Sequence, residues 1–127
     1  MTVMKGTPKR PRLDVLDRDG ITVVIPSGPR LDAEVAGELR NTLIDLIDEG
    51  ARKLVLDLPA VDFIDSSGLG ALVSALKRLK QADPSGDIRL ADVQPSVRAV
   101  LEIIRLHRVF AQFGTLDEAL ESFGATV

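Results

Sequence analysis

Val61-Asp62-Phe63-Ile64-Asp65-Ser66-Ser67-Gly68-Leu69-Gly70-Ala71-Leu72 is the stretch on which the reading of this chain turns. Upstream, Lys53 to Leu58 reads K-L-V-L-D-L, short and apolar, and Pro59 stops it, as expected of a strand. Downstream, Leu69, Leu72, Val73, Leu76 and Leu79 fall at i, i+3, i+4, i+7 and i+10. That stripe predicts an amphipathic helix from about Ser67 to Gln81. The quoted residues are therefore a strand-to-helix junction. Ser66 and Ser67 stand where the first unpaired helix N–H groups need side-chain oxygens. Gly68 and Gly70 each cost about 1 kcal/mol of helix propensity relative to Ala. Something else asks for them, such as a close approach by another backbone or by a ligand. Capping alone accounts for Asp, Ser and Gly before an apolar helix, yet this hydroxyl pair is the best candidate for chemistry in the chain.

Composition narrows the function classes. At 127 residues, 45% hydrophobic and 28% charged, the chain reads as one globular domain. A domain of that size buries roughly two-thirds of its unfolded surface. It has no cysteine and one histidine, which removes a disulfide framework and argues against a protein zinc site. No apolar run approaches membrane-spanning length and no signal segment opens the sequence, so a cytoplasmic location and no membrane contact are expected. With 19 acidic and 16 basic residues the net charge is −3, which gives no footprint for direct nucleic-acid binding. The absence of Trp and Tyr, with only four Phe, also argues against a base-stacking platform. Residues 1–12 carry Lys5, Lys9, Arg10 and Arg12 with two prolines and read as a flexible basic tail before a domain spanning 13–127.

Along that domain, Leu13 to Arg18 and Ile21 to Ile25 predict two strands joined by a hairpin turn at Asp19-Gly20. Asp32 stands as the N-cap of a helix whose buried face is Val35, Leu39, Leu43, Leu46 and Ile47, with Gly50 just past its end. After the central helix, Ile88-Arg89-Leu90 makes a short strand. Pro95 opens a third helix burying Val97, Val100, Leu101 and Ile104. Val109-Phe110 predicts the last strand, and Thr115 caps a final helix through Leu116, Ala119, Leu120 and Phe123. The order β-β-α-β-α-β-α-β-α predicts an α/β fold. It comprises a mostly parallel central sheet with an N-terminal hairpin, packed against about four helices.

The whole junction, with its F-I-D lead-in at Phe63 to Asp65, D-S-S-G-L-G and the G-A-L-V-S-A-L-K-R-L-K helix, closely resembles the signature of the STAS domain found in bacterial anti-sigma factor antagonists. The similarity extends from about Ile21 to Phe123 and takes in Leu31-Asp32, Pro95-Ser96-Val97-Arg98 and the closing T-L-D-E-A-L. It implies that the serine after the aspartate, Ser66, is phosphorylated by a partner kinase. It further implies that Asp32, Asp62, Asp65, Ser66, Ser67, Gly68, Leu69 and Gly70 meet the partner. The expected partners are an anti-sigma factor serine kinase of histidine-kinase-like ATPase fold and a phosphoserine phosphatase. ATP and magnesium would belong to the kinase, since this chain has no phosphate-binding Gly-rich loop. Two departures stand out. Gly28-Pro29-Arg30-Leu31-Asp32 lacks the acidic residue that the family often has after this glycine. Leu106-His107-Arg108 replaces a turn that often contains glycine.

Three function classes compete at this site. A phospho-switched binding module uses Ser66 beside the carboxylates of Asp62, Asp65 and Asp32. The nearest cations in sequence are Arg52 and Lys53 upstream and Lys77 downstream. An enzyme would need a base to activate the hydroxyl, and the sequence offers neither a G-x-S-x-G elbow nor a histidine other than His107, so no catalytic residue is assigned. A receiver domain phosphorylated on Asp57 would need an acidic pair after the first strand and a lysine after the last, and neither is present. The third class is a constitutive STAS scaffold or regulatory subunit, in a lipid transporter or a stress-signalling complex, with Ser66 never modified.

Overall fold

In the computed structural model, which describes residues 12–126, seven strands and four helices follow one another in the order expected, with two short strands added. The hairpin β1 (Leu13–Arg18) and β2 (Ile21–Pro26) turns at Asp19 and Gly20, both at positive φ (56° and 83°). Such paired left-handed residues match the twist of the flanking strands. β4 (Lys53–Asp57), β6 (Asp87–Ala91) and β7 (Gln112–Phe113) then add in parallel, giving the sheet order β1-β2-β4-β6-β7. Residues 1–11 of the expected basic tail lie outside the described residues.

Alternation along the strands sorts the core into two layers. Leu54 and Leu56 face the larger cluster, shared with α1 (Ala33–Asp48), α2 (Ser66–Ala82) and α3 (Pro95–Ile103). Val55 points the other way, into a smaller cluster with Val23, Ala91 and the Ala119-Leu120 pair of α4 (Leu116–Ser122). Three helices therefore cover one face and α4 the other. Every parallel strand delivers its chain to the same edge of the sheet, and there the N-termini of α1, α2 and α3 gather.

Three expectations need correction. The last strand is Gln112–Phe113, not Val109-Phe110: Phe110 is fully buried, and its N–H bonds to Leu106 O (2.9 Å) within a 3-10 turn over Leu106–Arg108. Ile104 does not belong to the buried face of α3, because the helix stops at Ile103 and leaves Ile104 exposed. The third correction is an unforeseen two-stranded parallel ribbon, β3 (Arg30–Leu31) with β5 (Phe63–Ile64), which sits beside the α2 junction.

Candidate functional site

The α2 junction is built from Asp65 outward. Asp65 has extended backbone (φ −112°, ψ −173°), and its Oδ1 accepts from Ser67 N (2.9 Å) and Gly68 N (3.1 Å). It is the N-cap, so the serines are not the caps that the sequence suggests. An ionised carboxylate accepts two backbone donors more strongly than a hydroxyl does, and it complements the positive end of the helix. Ser66 is left at the first helical position, exposed, and its hydroxyl has no hydrogen-bond partner among the described residues. Ser67 is half-buried. Because Asp65 occupies two of the first N–H groups, a phosphate on Ser66 would not find the open donor cluster that a bare helix start provides.

The β3–β5 ribbon fixes what surrounds this serine. Asp62 N and Phe63 N both donate to Pro29 O (2.9 and 3.2 Å), and Asp65 N donates to Leu31 O (3.2 Å). Register places Arg30 opposite Phe63 and Leu31 opposite Ile64. Gly68 is explained here: a Cβ on it would collide with the Leu31 carbonyl and the Ile64 side chain, so only glycine lets the helix pass this backbone. Gly70 differs, since it is exposed with open space where a side chain would go. Leu69 is half-buried against the core, and Asp62 is exposed.

Asp32 joins the same neighbourhood through the ribbon. Its Oδ1 caps α1 by accepting from Glu34 N (3.1 Å), and its Oδ2 pairs with Arg30 Nε (3.1 Å). The hydrogen bond from Arg30 holds its carboxyl below the usual carboxylate range. The same guanidinium lies 4.0 Å from the centre of the Phe63 ring. Arg30 and Phe63 are site residues that sequence reasoning missed. Arg30 stands 36 positions before Ser66, and only the parallel pairing of β3 with β5 brings it over. The start of α3 completes the frame, with Ser96 Oγ donating to Asp62 O (2.7 Å) and Gln94 Nε2 to Pro59 O (3.0 Å).

Beneath this edge lies a buried carboxyl. Asp57, the last residue of β4, is 5% exposed, and its Oδ1 has no partner among the described residues. Burial first, then the hydrogen bond to and charge of Asp92, push its pKa up to about 7. Among the described residues no group of three or more His, Asp or Glu could hold a metal ion. His107 is exposed in the 3-10 turn over Leu106–Arg108. No helix among the described residues is long and apolar enough to cross a membrane.

Comparison with known proteins agrees with this architecture. The chain is similar to BtrV of Bordetella bronchiseptica, with 30% identity over 105 residues, covering 83% of this chain and 88% of that protein. It is also similar to the anti-sigma-F factor antagonist RsfB of Mycobacterium tuberculosis, at 27% identity over 115 residues and 91% of each chain. Among solved structures, an anti-sigma-factor antagonist (STAS) domain protein from Planctomyces limnophilus superposes with a TM-score of 0.81. That match has 25% identity and covers 89% of this chain and 98% of the other. The STAS domain family model matches residues 12–119, and the hairpin, the parallel sheet and the Asp65-capped helix all lie within that span: the chain belongs to the STAS domain family.

Proposed function

We propose that this protein is an anti-sigma factor antagonist, a regulatory binding module rather than an enzyme. In the unmodified state, the surface formed by Asp32, Asp62, Asp65, Ser66, Ser67, Gly68, Leu69 and Gly70 docks an anti-sigma factor and so frees a sigma factor. That partner is a serine kinase of histidine-kinase-like ATPase fold, which supplies ATP and magnesium and phosphorylates Ser66. Phosphorylation releases the partner, and a phosphoserine phosphatase resets the site. The name borne by RsfB supports the antagonist role. The observation that carries the site assignment is the exposed hydroxyl of Ser66, without a partner among the described residues, on a helix start already capped by a neighbouring carboxylate.

Electrostatics favour release. A phosphoserine adds roughly −1.5 to −2 charge beside Asp65 and Asp62. Arg30, the cation nearest this ribbon, is already engaged by Asp32 and the Phe63 ring. A docked partner would have to cover that dianion without a free cation from the β3–β5 ribbon, at a cost on the order of 3–5 kcal/mol. Reconstitution tests the reading. The chain, its Ser66→Ala variant and its Ser66→Asp variant are incubated with the cognate kinase, ATP and magnesium, and affinity and phosphosite are measured. Labelling confined to Ser66, retained binding by Ser66→Ala and weakened binding by Ser66→Asp are expected. Label on Ser67 would move the site by one residue, and equal affinity in all forms would favour a constitutive scaffold.

A further inference from the structure

The far end of α3 carries a surface that the Ser66 site does not use. The helix stops at Ile103, and Arg105 follows at φ 65°, in the left-handed region. Glycine ordinarily takes that position, because any Cβ crowds the neighbouring carbonyl. Ile103, Ile104 and Val109 stand 79%, 45% and 48% exposed around it. They are three of only six large apolar side chains exposed among the described residues, gathered within seven positions. The turn that presents them is anchored. Leu106 packs against the core and Phe110 is fully buried. Val109 N and Phe110 N both donate to Leu106 O (2.9 Å each).

Charge at this end runs against the rest of the molecule. Arg98, Arg105 and Arg108, with His107, face a single acidic residue, Glu102, within residues 98–109, although the chain as a whole carries −3. None of these arginines forms an ion pair among the described residues; Arg98 donates instead to Val93 O (3.3 Å). Beside the turn, Arg98, Glu102, His107, Gln112, Phe113 and Gly114 line a cleft of about 340 Å³. Gln112 Oε1 is buried there without a hydrogen-bond partner among the described residues.

We propose that this end of α3 is a second docking surface, which takes a protein segment combining acidic with aliphatic side chains. The exposed isoleucines and Val109 supply apolar area, and the unpaired arginines select the sign of what covers it. Charge disfavours the other occupants. The chain's own N-terminal stretch is basic at Lys5, Lys9, Arg10 and Arg12. A second copy docked symmetrically would set arginine against arginine. An anionic bilayer would meet a protein of net charge −3 with no Trp or Tyr to seat at its interface. The turn at residues 103–109 is distinct from the Ser66 site, because the start of α3 is hydrogen-bonded to Asp62 and Pro59 and its nine residues carry the chain about 13 Å away. The proposal does not depend on Ser66 being phosphorylated.

Selection of random peptides displayed on phage against the full chain tests it, with the bound peptides mapped by amide chemical shifts. Enriched peptides should pair Asp or Glu with Leu, Ile or Val, shift residues 103–109, and weaken as salt is raised. Affinity should fall at least tenfold in the Arg105→Glu/Arg108→Glu variant and in the Ile103→Ser/Ile104→Ser variant. Arg105→Gly guards against a trivial folding effect. It relieves the left-handed residue, so it should raise the melting temperature while weakening the peptide, a split that a purely structural arginine would not produce. Peptides without acidic residues, or binding unchanged in these variants, would overturn the proposal. It would also be overturned if binding to phosphatidylserine-containing vesicles, or a concentration-dependent dimer, were the property that the Arg105→Glu/Arg108→Glu variant loses.

Discussion

Gly68 and Gly70 look alike in the sequence and differ in what they do. Gly68 is wedged against the Leu31 carbonyl, so Gly68→Ala forces backbone apart and should destabilise the fold by about 1–3 kcal/mol in a urea titration. Gly70 faces open space inside a helix, so Gly70→Ala should stabilise it by about 0.5–1 kcal/mol. If Gly70 serves the close approach of a partner, the same Ala variant should also bind that partner less well. Asp65 carries the capping that sequence spacing assigned to the serines, and Asp65→Ala should cost about 0.5–2 kcal/mol. Ser66→Ala should cost almost nothing by the same measurement, since its hydroxyl has no partner among the described residues. That contrast frees the hydroxyl for modification.

At the scale of elements, the β3–β5 ribbon decides the composition of the site. Each strand is two residues long, too short to leave a periodic pattern, and Gly28-Pro29 reads as loop. Yet the ribbon carries Arg30 to Phe63 and presses Leu31 against the start of α2. Leu31 is fully buried, and Leu31→Ala should cost about 2–5 kcal/mol of unfolding free energy. It should also broaden the amide signals of Asp65 to Gly68, because that carbonyl and its neighbours hold the junction. Long elements were legible for the opposite reason. α1 and α2 span 16 and 17 residues with a full apolar stripe, and the Asp32 and Gly50 that bracket α1 stand in the sequence. α3 was read too long by one residue because Ile104 continues the stripe, although Arg105 turns the chain away.

For the whole molecule, the buried Asp57 carboxyl couples the sheet to pH. An unfolded Asp loses its proton near 3.8, whereas folded Asp57 keeps one up to about 7. Between those values the folded state binds the extra proton, so stability is greatest at the acidic end and falls as pH rises, levelling off above about 7. The slope should reach at most about 1.4 kcal/mol per pH unit. Urea titrations across this window should show the decline, and Asp57→Asn should flatten it, since an amide cannot titrate. Phosphorylation of Ser66 should act differently. A helix N-terminus favours an anion by about 0.3–1 kcal/mol, so the melting temperature should move little while partner affinity drops. A large melting shift with unchanged affinity would contradict that mechanism.

The sequence by itself determined the α/β order, the hairpin at Asp19-Gly20, the two long helices and the place of Ser66 at a strand-to-helix junction. Each of these rests on local periodicity or turn chemistry, which residues a few positions apart express without help from the rest of the chain. Tertiary structure alone decided that Asp65 takes the cap, that Gly68 serves the Leu31 carbonyl, that Arg30 and Phe63 join the site, and that Asp57 lies buried beside Asp92. Those outcomes depend on which parallel strands become neighbours. Residues 30 and 63, or 57 and 92, share no local pattern and meet only because burying the apolar faces of β4, β6, α1 and α2 brings their ends to one edge.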